Sequence, residues 1–231
     1  LIDKIAAWFG ALINDGKYGF VWSSRKVVKG VDGIEKGGQF HYYGEDVWGY
    51  VAKRIEPILP TGYTVYGEIV GYTPGGAAIQ SIGGKDYDYG CDIGEHEFHA
   101  YRVTVTNSTG VVLEMPFKQM IEWCGDYGID TVQPIYCGKA SGILPVTVGQ
   151  SVEQWQEAFL AKLEDQYVRE EPCHMCKSGA LLEGVVVRVD KGAKASAFKL
   201  KSFAFLAGES KDLDSGQVDM ETAESVEETP A

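Results

Sequence analysis

The sequence predicts an α+β fold, and three observations carry that expectation. Strand-like and helical segments follow one another without regular βαβ alternation. Glycine is abundant (29 of 231 residues) and aromatic residues make up 12%, a mixture suited to strands and tight turns. Apolar residues at 45% against charged residues at 23% are the balance of a folded chain.

The elements follow in order. Ile5–Ile13 and Tyr18–Val28 are expected as strands of a hairpin turning at Asn14-Asp15-Gly16-Lys17. Over 46–59, Val47, Tyr50, Val51, Ile55 and Ile58 recur at helical spacing before Pro60 and Gly62. Thr64–Tyr72 is a β-prone run, and the glycine pairs in Pro74–Gly94 predict a loop. His99–Thr106 alternates as a strand, turns at Asn107-Ser108-Thr109-Gly110 and resumes at Val111–Glu114. Pro116–Tyr127 and Ser151–Arg169 are predicted helices; in the second, Val152, Trp155, Phe159 and Leu163 form a stripe that Ser151 can cap. Leu181–Asp190 and Ala195–Leu206 are the last predicted strands, with a turn near Lys191-Gly192.

Residues 1–206 are expected to form one domain and 207–231 an acidic, disordered tail. The net charge is −12, of which −7 lies in Ala207–Ala231, leaving −5 for the rest. The total argues against a generally basic surface, and with no basic run, contact with nucleic acid would use scattered Lys and Arg in a groove. No segment approaches the roughly 18 apolar residues of a membrane span, so no membrane partner is expected. Five cysteines without a signal peptide predict reduced thiols and a cytoplasmic location. A first residue of Leu predicts a chain trimmed from a longer one.

Several charged residues lie inside β-prone apolar runs: Lys4, Ser24-Arg25, Glu68 in Tyr66-Gly67-Glu68-Ile69, Glu183 and Arg188 in 183–188, and Lys199 and Lys201. In a strand, residues two apart share a face, so Lys199 and Lys201 point the same way. Two ammonium groups side by side repel unless an anion sits between them, and a phosphate is the economical candidate. Carboxylates such as Glu68 and Glu183 suit ribose hydroxyls or a hard divalent cation. A lysine facing such a site can act as an amine nucleophile, because neighbouring cations lower its pKa.

In this order the chain resembles the ATP-dependent RNA ligases, whose relatives are DNA ligases and capping enzymes. The resemblance runs through Lys4, Ser24-Arg25, Gly67-Glu68-Ile69, Phe98-His99-Ala100-Tyr101, Glu183-Gly184-Val185-Val186-Val187-Arg188 and Lys199-Leu200-Lys201. It implies a ligase-type nucleotidyltransferase domain of antiparallel sheets with flanking helices. It implies that Lys4 attacks the ATP α-phosphate, that Glu68 holds the ribose, and that Arg25 meets the ribose or the incoming end. Tyr101, or else Phe98, would stack on adenine. Glu183 would hold Mg²⁺ or Mn²⁺, and Lys199 and Lys201 would clamp the α-phosphate with Arg188 in support. The partners implied are ATP and RNA ends, a 5′-phosphate and a 3′-hydroxyl. The family's Lys-x-(Asp/His)-Gly is here Lys4-Ile5-Ala6-Ala7, so either the motif has diverged or the nucleophile lies upstream. Lys29-Gly30-Val31-Asp32-Gly33 has one residue too many and follows Ser24-Arg25, so it is set aside. A non-catalytic nucleotide- or RNA-end-binding module and an ATP-dependent DNA ligase core are the alternatives.

Cys173-His174-Met175-Cys176 is half a zinc site by spacing, to be completed by two others such as Cys91 or Cys137. Free thiols on a loop are the competing reading. A zinc deaminase would also need His-x-Glu, and none of His41, His96, His99 and His174 has Glu two residues later.

Overall fold

A computed structural model of the chain describes residues 19–24, 28–31, 34–35 and 43–214. The expected strand Ile5–Ile13, the turn after it, Lys4 and Arg25 lie outside the described residues. The architecture is mixed: antiparallel pairings and helices, in two compact units that divide after Tyr63.

In the first unit, the run expected as one strand over Tyr18–Val28 divides into β1 (Val21–Ser23) and β2 (Val28–Val31), paired antiparallel, with β3 (Ile34–Glu35) on β2. Ser24-Arg25-Lys26 breaks the apolar alternation there. Gly30 faces the Trp22 ring, and any Cβ at that position would overlap it. Helix α1 (Val47–Ile55) starts where the Asp46 carboxylate accepts the Gly49 N–H at 2.9 Å. It ends before the predicted Leu59 because Pro57 has no N–H to continue the ladder. Lys29, in the motif set aside above, is only 1% exposed, and its ammonium lies 4.5 Å over the Trp48 ring.

The second unit begins in β4 (Tyr63–Gly71), which joins β7 (His96–Thr106) and β8 (Val112–Glu114) in a three-stranded sheet with β7 central. β7 and β8 are antiparallel, with Thr104 opposite Glu114 and Thr106 opposite Val112. Helix α2 (Phe117–Asp126) packs on β7, and Met120, Cys124, Ala100 and Val103 are buried. Within the stretch expected as loop, β5 (Ser81–Ile82) and β6 (Lys85–Asp86) form a small hairpin. Gly83 and Gly84, both at positive φ (60° and 72°), make its two-residue turn, which is why a glycine pair can signal a hairpin as well as a loop. Helix α3 (Val152–Tyr167) starts in the predicted capping position, with Ser151 and Gln154 each bonding the other's backbone N–H.

β9 (Gly184–Lys191) and β10 (Lys194–Lys201) form an antiparallel hairpin without a register break. The chain then departs from expectation. Phe203 to Leu206, read as the end of a strand, open helix α4 (Phe203–Asp214), which runs eight residues into the segment expected to be a disordered tail. Ser202 decides the change: its Oγ accepts the Phe205 N–H at 3.2 Å and donates to Leu182 O at 2.9 Å, capping the helix and closing off the strand.

The loop leading to β9 is fixed by Asp88, which is 3% exposed and accepts backbone N–H groups from Gly90, Lys177 and Ser178 at 2.8, 2.9 and 2.9 Å. Burial alone would raise its pKa, but the three hydrogen bonds together outweigh burial and hold it below the ordinary carboxylate value. Its contribution to stability is therefore complete above the unfolded value, near about pH 4, and is lost as pH falls through the lower folded one. Urea unfolding followed from pH 6 into the acid range should show this loss. Asp88→Asn should cost about 2 kcal/mol at neutral pH and flatten the acid slope.

Candidate functional site

Around the β9–β10 hairpin the structure gathers four of the predicted residues. Register sets Lys199 opposite Val186 and Lys201 opposite Gly184, so both lysines share one face of β10. Gly184 has φ +140°, and a Cβ there would overlap the Leu200 carbonyl oxygen. The glycine of the Glu-Gly pair thus lets β9 approach the end of β10 closely. Glu183 is held beside that end, its carbonyl accepting the Ser202 N–H at 2.8 Å.

Glu183 faces a buried aromatic cluster. Tyr87, Ala180 and Phe205 pack together, with Tyr87 and Phe205 edge to face at 5.8 Å. Burial first, and then the Glu183 charge, push the Tyr87 and Tyr89 phenols upward, so both stay protonated. Tyr87 uses its hydroxyl to donate to Leu181 O at 2.8 Å, fixing the residues that enter β9. Lys201 meets the same cluster through Phe205: its ammonium lies 4.8 Å from the Phe205 ring centroid and 3.1 and 3.3 Å from the two Glu209 oxygens. Lys199 is exposed.

Arg188 is committed to two backbone carbonyls and two carboxylates. It is 14% exposed and donates to Tyr101 O at 3.0 Å, Met115 O at 2.8 Å and Asp190 Oδ1 at 2.8 Å, with Glu114 at 3.4 Å. Its planar fork joins β9 to β7 and to the entrance of α2. In the described structure it ties together the strands that bear the other residues.

Glu68, on β4, is exposed. The two aromatic candidates differ. The Phe98 ring lies against Gly67, where a Cβ would overlap it, whereas Tyr101 is 39% exposed. Phe98 is thereby packed into the sheet, which leaves Tyr101 the better placed to meet a planar ligand. Arg102 stacks 4.7 Å over Tyr66 on β4 and pairs with Glu114 at 3.1 Å.

Cys173 is buried and Cys176 half-buried, and their thiols are hydrogen-bonded to each other. Burial pushes the Cys176 thiol up to about 12, against a bond from the Tyr89 backbone, so it stays protonated at neutral pH. Among the described residues no three His, Cys, Asp or Glu side chains are grouped to hold a metal ion, and Cys91, Cys137, Cys173 and Cys176 are free. The pair closes the loop instead, as Cys173 N donates to Ala180 O at 2.7 Å. Among the described residues no helix is long and apolar enough to cross a membrane.

Two contributors escape the sequence pattern. Glu209 sits in the acidic tail by composition, and Phe205 in a run that reads as strand. A helix starting at Ser202 puts them four residues apart, on one face, and that spacing is the signal that could have found them.

The RNA ligase family model matches residues 16–202, most of the chain. The match includes Arg25, Glu68, Phe98, Tyr101, Glu183, Arg188, Lys199 and Lys201, and Lys4 precedes it. No curated protein matches the chain. With four-fifths of its length inside that match, the chain belongs to the RNA ligase family.

Proposed function

We propose that the chain is an ATP-dependent RNA ligase built on a nucleotidyltransferase domain, acting through a lysyl-AMP intermediate. The observation that supports this most is the placement of Lys199 and Lys201 on one face of β10, with Glu183 opposite Ser202 at the end of the same hairpin. Two cations on one strand face suit a phosphate, and a half-buried carboxylate where the paired strand begins suits its counter-ion.

The Lys4 amine attacks the ATP α-phosphorus. A P–N bond forms, the bond to the bridging oxygen breaks, and pyrophosphate leaves with that electron pair. Lys199 and Lys201 neutralise the non-bridging oxygens as charge builds on them. Glu68 orients the ribose, Arg25 meets the ribose or the incoming end, and Tyr101 stacks on adenine. An oxygen of an RNA 5′-phosphate then displaces the lysine, and a 3′-hydroxyl attacks that phosphate with AMP as leaving group. Glu183 offers one hard oxygen donor, the kind of set Mg²⁺ takes when substrate phosphates supply the rest. Bound there, the ion would lower the cost of charge on the transferring phosphoryl group. Arg188 supports the site through Tyr101 and Met115 rather than by touching the nucleotide.

Incubation with α-labelled ATP and Mg²⁺ should give a protein-bound label that survives denaturation and is discharged by pyrophosphate. Lys4→Ala should abolish it. No label on a protein carrying its native N-terminus sinks the ligase reading and favours a nucleotide-binding module without catalysis, which the Ile5-Ala6-Ala7 sequence also favours. Label that persists in Lys4→Ala moves the nucleophile elsewhere.

A further inference from the structure

We propose that Glu209 is the positioning residue for Lys201: helix α4 holds the ammonium at one point, ready for the α-phosphate. The inference rests on the ligase reading above. A lysine carries a long stem with several rotatable bonds, and freezing it on arrival of the ligand would cost entropy at that moment. Here the freezing is done beforehand. Both Glu209 oxygens lie 3.1 and 3.3 Å from Nζ, and the Phe205 ring supports it from below at 4.8 Å. Lys201 is 24% and Glu209 38% exposed, so the ammonium is sheltered but reachable. An ammonium has three N–H donors, and a carboxylate uses at most two, so one remains for a phosphate oxygen.

What makes Glu209 a fixed point is the helix that carries it. The start of α4 is capped by Ser202, which also binds Leu182 O and, through its own N–H, Glu183 O. Its first turn is anchored by Phe205, 1% exposed in the cluster with Tyr87 and Ala180. Its middle turn sets Gly208 against Ile82, where a Cβ would come within 2.9 Å of the Ile82 side chain. Its last turn is tied by Asp212, which accepts the Gly83 N–H at 2.8 Å. Glu209 lies between the last two anchors. A partly exposed ion pair contributes little to stability, so the structural investment in this helix is explained better by placement than by the pair's own strength.

The test measures single-turnover labelling at saturating ATP and, separately, equilibrium ATP binding by titration. Glu209→Ala should slow labelling about tenfold, since a misplaced group costs rate. ATP binding should change far less than the rate, because lost pre-organisation weakens it while removal of a negative charge near the phosphates favours it. Glu209→Gln, which keeps one acceptor oxygen, should recover most of the rate. Lys201→Ala combined with Glu209→Ala should be no slower than Lys201→Ala alone, the signature of one residue acting through the other. A Glu209→Ala rate within twofold of wild type, or a further loss in the double variant, overturns the inference while leaving the ligase reading intact. Absence of label on the protein with its native N-terminus overturns the reading itself, and the inference with it.

Discussion

Gly184→Ala should cost at least about 3 kcal/mol of stability and leave almost no nucleotide chemistry. Two effects add. The residue sits at φ +140°, a conformation that side-chain-bearing residues adopt only with strain, and its new methyl would overlap Leu200 O. Backbone cannot yield as a flexible side chain can, so relief requires opening the last pair of the hairpin, Gly184 with Lys201. Opening that pair moves Glu183 and Lys201 apart. Gly192→Ala in the connecting turn is the control. It has φ +63° but no atom within 4 Å of the added carbon, so it should cost only about 1 kcal/mol. Urea midpoints at constant slope, with labelling rates on the folded fraction, separate the two. Equal losses for both variants would show that strain alone, without the Leu200 contact, explains the position.

Arg188→Ala should destabilise the second unit by about 2–3 kcal/mol, because it removes the donor from Met115 O and Tyr101 O and leaves Glu114 with Arg102 and Asp190 with the Phe117 N–H. Arg188→Lys should recover little. A single ammonium lacks the flat fork that reaches acceptors on three elements at once. On the ligase reading, the same substitutions should weaken ATP binding only through loss of folded protein. A calorimetric unfolding series and ATP titration below the transition check both statements. Selective loss of nucleotide affinity in a fully folded Arg188→Lys protein would return Arg188 to direct phosphate contact.

Much of the fold is legible residue by residue. The Ser151–Gln154 capping box, the alternation of β7 and the paired runs that become β9 and β10 all carry local signals, because capping and strand period depend on neighbours in sequence. Misreadings arise where two local signals compete. The apolar run Phe203–Leu206 suits a strand or a helix, and the Ser202 cap settles it only because its hydroxyl also reaches Leu182. The acidic composition after Ala207 conceals a helix whose stability comes from Phe205 in the core and Asp212 on Gly83, not from its own propensity. The Cys-x-x-Cys spacing signals metal, yet spacing says nothing about whether further ligands arrive from elsewhere in the chain.

The sequence by itself determined the order of chemistry-bearing residues and, through the two-residue period of a strand, that Lys199 and Lys201 share a face. It also determined the family, since the RNA ligase model matches residues 16–202. Only the tertiary structure decided that Arg188 turns to carbonyls, that Phe98 packs on Gly67 while Tyr101 stays exposed, and that Glu209 holds Lys201. The physical reason is the same in each case. Period and capping act between residues a few positions apart, whereas a guanidinium, a ring or an ammonium is committed by whichever distant backbone or side chain the packing brings within about 3–5 Å.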